Sequence, residues 1–272
     1  MKTLILKHPL TTFLFLAFLF SAGTIGFKVL DSLIPFVKEN NIIFLPLIWQ
    51  FFFFILCLVI LHKIGFTHNN HRNKKKFLNV FLIYSIIIVL ILALVKIGPF
   101  DFQASHQTHI INYINIILLA LCEEFLYRGL AFALFKQTDR FYSISHIMYV
   151  NFIFALTILL EIVPAPQDVA ETVFLALYYF SFGVFLTATH LNTKSVLLPT
   201  VIHVFKGIAT LFVTLSVSTP FLPVWAYYAV LMALFVLQMI IGCFYLLKTP
   251  HRTPTQITQH QEEKNDFGTK LQ

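Results

Sequence analysis

Residues 120–130 read ALCEEFLYRGL, which sets Glu123, Glu124 and Arg128 inside a stretch otherwise suited to lipid. How that stretch is read depends on the chain around it. The 272 residues are 58% hydrophobic and 11% charged, against roughly 25% charged in an average soluble domain, and the mean hydropathy is +0.82. This is the composition of an integral membrane protein. Eight apolar runs, at about 9–29, 42–62, 78–97, 110–135, 141–162, 171–191, 195–217 and 223–247, are long enough to cross a hydrocarbon core of roughly 30 Å. They are continuously apolar and do not alternate with polar residues, so they are read as helices and not as barrel strands. The expected fold is all-α, a polytopic membrane helical bundle of about eight transmembrane helices. It would form a single transmembrane domain over 1–250, followed by a flexible polar tail, 251–272.

Orientation follows from the basic residues. With a cytoplasmic N-terminus, 14 Lys and Arg fall on the cytoplasmic side, among them Lys2, Lys7, the cluster Lys63, Arg72, Lys74, Lys75 and Lys76, and Lys194. Lys28, Lys38 and Lys96 are the 3 that fall outside. The bias predicts both termini in the cytoplasm; the expected membrane, which the bias does not address, is that of a bacterial cell. The bias also accounts for the net charge of +7 without a nucleic-acid partner. The basic loop over 63–76 is read as topogenic, with contact to anionic lipid as the alternative. The first apolar run follows Lys2 and Lys7 as a signal peptide would, but it is long and lacks a small-x-small cleavage pattern, so it is read as a retained helix. Cys57, Cys122 and Cys243 lie apart in separate spans and form no metal motif or disulfide framework. The sequence contains no GxxxxGK[ST], no HExxH and no internal repeat.

A charge near the bilayer centre costs a few kcal/mol even on lenient insertion scales, so it faces the bundle interior and has a partner. Glu124 and Arg128 are spaced i,i+4 and stack on one helix face as an ion pair. Glu123 lies about 100° around the helix, on the face of Tyr127, as a second carboxylate suited to general-base work. The bland alternative is a buried pair that only ties helices together. A second polar cluster lies in SVLLPTVIHVFKGIATLF, residues 195–212, where His203 and Lys206 share a face and Gly207 permits close helix approach.

EEFLYRG, residues 123–129, resembles the EExxxR motif of the CAAX prenyl protease and bacteriocin-processing (CPBP, formerly Abi) family of intramembrane proteases. The segment 180–207, FSFGVFLTATHLNTKSVLLPTVIHVFKG, is similar to that family's Gly-containing helix, short turn and following helix, with Ser195, Pro199 and His203 in the S-x-x-x-P-x-x-x-H arrangement. The resemblance covers about 110–215. It implies an intramembrane endopeptidase in which Glu123 activates a water against a peptide carbonyl and His203 polarises that carbonyl or stabilises its oxyanion. Glu124 and Arg128 would be the supporting pair. The family leaves the cofactor open between a divalent metal such as zinc and a metal-free glutamate mechanism, so the metal is unknown. The implied partners are a membrane-anchored peptide or protein substrate and the lipid bilayer.

Two positions depart from the family pattern. The middle motif FxxxH reads Phe154 to Ile158, with isoleucine where a histidine belongs, and the Asn expected one turn after His203 is Gly207. Glu161 shares a face with Ile158 but lies two residues before VPAPQD, which reads as a surface segment. His146 lies about 18 Å away along a helix and belongs to another depth. Lys206 is the better substitute, either as an oxyanion donor or as a counter-charge for Glu123. These departures keep open a catalytically weakened relative that binds peptides, as in bacteriocin self-immunity. A transporter, which would favour internal repeats and broken helix pairs, has less support.

Overall fold

The computed structural model describes residues 7–33, 44–65, 79, 82, 106–136, 144–162, 169–216 and 224–247. Among them the regular structure is helical throughout, with no strand. Helix α1 runs over Pro9–Leu33 and α2 over Phe44–Ile64. A long rod follows: α3 (His106–Glu124), a π-helical segment (Phe125–Leu130) and α4 (Ala131–Lys136). Then come α5 (Ile144–Ile162), α6 (Val169–Thr193), α7 (Leu197–Ser216) and α8 (Val224–Leu247). These elements fall on seven of the eight expected spans. The third, 78–97, lies outside the described residues apart from Asn79 and Leu82, as do most of the basic loop and the tail from 251.

Three stretches are long and apolar enough to cross a bilayer by length and composition: Pro9–Leu30, Leu45–Ile64 and Thr172–Thr193, with hydropathies of 2.0, 2.3 and 1.6. The core is largely apolar, and so, unlike that of a water-soluble protein, is much of the exposed surface. Phe15, Phe18, Phe52, Phe152 and Ile240 are more than half exposed, while Gln50, Glu124, Arg128, Asn151 and Ser181 are buried. Lipid can solvate the phenylalanines but not the polar groups, which must find partners inside the bundle.

Those partners join the helices. The Gln50 amide on α2 donates to Asn115 Oδ1 on α3 at 3.1 Å, and the Cys122 thiol donates to the Gln50 carbonyl at 3.0 Å. Ser181 on α6 donates to Gln238 Oε1 on α8 at 2.8 Å. The three cysteines are free thiols.

Close approach at two glycines brings the functional helices together. A Cβ on Gly207 of α7 would stand 2.6 Å from Ile116 Cγ2 of α3, so these helices meet with no room for a side chain there. A Cβ on Gly183 of α6 would stand 2.7 Å from Asn151 Oδ1 and 3.0 Å from a Phe154 ring carbon on α5. Small residues at such crossings let backbones approach and gain dispersion contact that lipid would otherwise supply.

Candidate active site

The rod 106–136 bears the first half of the site at the junction where α3 becomes π-helical. The Ala131 N–H donates to the Leu126 carbonyl, five residues back, the hydrogen bond that defines a π turn. Such a turn holds an extra residue and offsets the side chains on either side of it relative to an unbroken α-helix, which is why π turns are frequent at functional sites. Here two successive residues reach α5. Tyr127 Oη lies 2.7 Å from Thr157 Oγ1, and Arg128 Nη2 lies 3.4 Å from Asn151 Oδ1.

The second half is carried by α7. Its approach begins at Lys194, whose φ of 53° places a non-glycine residue in the left-handed region and ends α6 sharply. The His190 ring nitrogen Nδ1 sits 3.2 Å from the Ser195 carbonyl, and the Thr200 hydroxyl donates to the Val196 carbonyl at 2.9 Å. Pro199 falls in the first turn of α7, where a missing N–H leaves no helical bond unmade. Ser195, Pro199 and Thr200 thus build the helix start, and His203 stands about 9 Å further along α7.

The two halves meet around His203. Its Nδ1 lies 2.9 Å from Glu124 Oε1, and its Nε2 lies 3.4 Å from Glu123 Oε2. The same Glu124 oxygen accepts from Arg128 Nη1 at 3.0 Å. Glu124 and Arg128 are fully buried, while Glu123 and His203 retain 4% and 7% exposure, so the Glu123–His203 edge is the less completely enclosed part of the cluster. The imidazole is clasped edge-on by Phe182, 5.2 Å between ring centroids, and by Phe154 at 6.1 Å. Apolar walls exclude bulk water and strengthen each charge interaction within them.

Arg128 is held by groups from three elements, the rod, α5 and α6. Besides Glu124, its guanidinium donates to the Gly183 carbonyl at 3.1 Å and lies 4.4 Å above the Phe154 ring. Asn151 Oδ1, its partner on α5, also accepts from Thr187 Oγ1 at 3.1 Å, while the Asn151 amide donates to the Ile147 carbonyl at 2.8 Å. Rod, α5 and α6 are therefore locked through one guanidinium, whose planar fork suits several acceptors at once.

Lys206 turns its ammonium to aromatic rings, within electrostatic reach of Glu123. Its ammonium donates to Tyr179 Oη at 3.2 Å and sits over the rings of Tyr179, Tyr178 and Phe182 at 4.3, 5.7 and 5.7 Å. Phe182 separates it from the imidazole as a shared wall. The side chains of Ile158 and Glu161 lie outside the described residues. Phe154, the first residue of the middle motif, packs into the centre of the site. At Gly207 the contact with Ile116 supplies a steric reason for the absence of an asparagine.

Several contributing residues escape sequence reasoning. Asn151, Thr157 and Thr187 are uncharged polar residues in apolar helices, and Gly183 acts through its carbonyl and its lack of a side chain. Asn151 left a usable signal: it is the only amide side chain in α5 and lies three residues before Phe154, on the same helix face.

Among the described residues no group of three or more His, Cys, Asp and Glu is arranged to hold a metal ion. Both His203 nitrogens are directed at carboxylate oxygens, and Glu124 Oε1 is shared by Arg128 and His203. This donor set does not fit a metal as it stands.

Residues 105–209 match the protein family described as Type II CAAX prenyl endopeptidase Rce1-like. The matched stretch contains Glu123, Glu124, Arg128, Ser195, Pro199 and His203, and the match bears out the CAAX-protease resemblance drawn from those residues. No curated protein and no solved structure matches the chain.

Proposed function

We propose that this chain, whose residues 105–209 are those of a CAAX-type endopeptidase family, hydrolyses a peptide bond of a membrane-anchored, prenylated-type substrate with Glu123 and His203 as its catalytic residues. The observation that carries this reading is the position of His203 between two carboxylates, one at each ring nitrogen.

The asymmetry of the two carboxylates assigns their roles. Glu124 is neutralised by Arg128 and accepts from His203 Nδ1, which fixes the imidazole tautomer and orientation from below. This is the part a carboxylate plays behind a catalytic histidine. Glu123 faces the other nitrogen at 3.4 Å. Two lone pairs would repel at that distance, so one proton lies between Nε2 and Oε2. With it on Nε2, the ring presents an N–H at the Glu123 edge of the cluster.

In the reaction, a water bound at the edge between Glu123 and His203 loses a proton to Glu123 as its oxygen bonds to the scissile carbonyl carbon. The Nε2–H of His203 donates to the oxyanion that forms, a contribution that is usually large where water is excluded. Glu123 then returns the proton to the leaving nitrogen as the C–N bond breaks, yielding a carboxylic acid and an amine. Arg128, Asn151 and the Gly183 carbonyl touch no reacting atom and act as positioning groups. Lys206 contributes its positive charge to the site across the Phe182 wall. The domain over 1–250 supplies the bilayer-embedded bundle around this site.

The test is cleavage of prenylated, membrane-anchored peptides by purified protein in liposomes. Wild type should cleave, and Glu123→Ala and His203→Ala should each lower the rate at least about a hundredfold, in line with losing a general base or an oxyanion donor. Cleavage appearing only in Ile158→His, with wild type inert, would refute the proposal and mark a scaffold that binds without hydrolysing.

A further inference from the structure

A pocket of about 690 Å³ opens at the end of the bundle where α1 begins, α4 ends and α5 begins. Its volume falls within the range of small-ligand sites. It is remote from the catalytic cluster, since Glu124 lies about 18 Å along the rod from Lys136. Its lining divides into two chemical halves. Lys7, Ser145, His146 and Tyr149 form one, and Pro9, Leu10 and Phe135 the other.

Among the described residues the polar half consists of an ammonium, an imidazole and two hydroxyls. Ser145 and His146 also stand in the first turn of α5, where backbone N–H groups lack helical acceptors and the helix dipole favours an anion. The His146 ring is set in place against Phe135, 5.5 Å between centroids. The apolar half continues onto the lipid-facing surface of α1, where Leu10 is 44% exposed.

An anion site with an apolar wall, set where three membrane helices end, matches one occupant in both halves. We propose that this pocket binds an anionic phospholipid, its phosphate held by Lys7 and His146 and the start of its acyl chains lying along Leu10 and Phe135. Lys7 belongs to the set of basic residues that the sequence pattern assigns to one side of the membrane, the side where anionic lipids attract such residues. The binding is independent of the hydrolytic reading of the central site.

The test is native mass spectrometry of the full chain released from nanodiscs of equal parts phosphatidylglycerol and phosphatidylcholine. Wild type should retain phosphatidylglycerol in preference, at one molecule per chain. Lys7→Gln should reduce that retention about fivefold, the worth of one basic residue near an anionic surface, while Lys7→Arg keeps it. Lys7 is exposed, so these changes leave the bundle intact, and His146→Gln should lower retention from the pocket's other side. Equal retention of the two lipids by wild type, or a preference unchanged in both Lys7→Gln and His146→Gln, would overturn the proposal. Displacement of the bound lipid by millimolar inorganic phosphate would also overturn it, by assigning the pocket to a free anion.

Discussion

Replacing Arg128 by methionine tests whether the guanidinium is what keeps the site assembled. Its head group makes a charged hydrogen bond to Glu124, a bond to the Gly183 carbonyl, a long contact to Asn151 and a stacking contact with Phe154. Methionine fills comparable volume but leaves the Glu124 carboxylate, fully buried, with His203 alone. Removing one partner of a buried ion pair costs about 3–5 kcal/mol. At roughly 2–4 °C per kcal/mol for a domain of this size, the midpoint of thermal unfolding in detergent should fall by on the order of 10 °C. The double variant Arg128→Met with Glu124→Gln removes both charges and should recover a good part of that loss, because no uncompensated carboxylate remains. Peptide cleavage at a temperature where each variant is folded should stay low in both, since the single variant loses the guanidinium that holds Glu124 in place and the double variant loses the carboxylate that orients His203. An Arg128→Met protein within about 1 kcal/mol of wild type, or a double variant less stable than the single one, would refute the reasoning.

Two other outcomes follow from the same geometry. Gly207→Asn installs the residue that the family places after His203, yet its Cβ would meet Ile116 Cγ2 at 2.6 Å; overpacking should destabilise by about 1–3 kcal/mol in thermal unfolding, and adding Ile116→Ala should relieve most of it. Lys206→Gln removes an ammonium stacked on Tyr179 and flanked by Tyr178 and Phe182. This should cost about 1–2 kcal/mol of stability and lower kcat more than it raises KM, and steady-state kinetics showing only a KM change would remove Lys206 from the electrostatics of the site.

The sequence by itself determined the solvent and the secondary structure. Long apolar runs admit only helices in lipid, because every backbone polar group must be satisfied within its own segment, and helix existence therefore follows from composition alone. It also singled out Glu123, Glu124, Arg128 and His203, because ionisable residues in a membrane span are costly enough to be rare. The i,i+4 spacing of Glu124 and Arg128 is a local relation, and the rod reproduces it at 3.0 Å.

What joins residues about eighty positions apart was decided only by tertiary structure. Nothing in the spacing of α3 and α7 says that His203 bridges both carboxylates, that Lys206 turns to an aromatic cage, or that Gly183 lends a carbonyl to Arg128. Those contacts depend on which helix faces meet, and the meeting is set by steric fit at Gly183 and Gly207. The π turn at Phe125–Leu130 is likewise invisible in an α-helical pattern. It arises where the rod must satisfy Arg128 and Tyr127 against α5 together, a demand that exists only once the helices are packed.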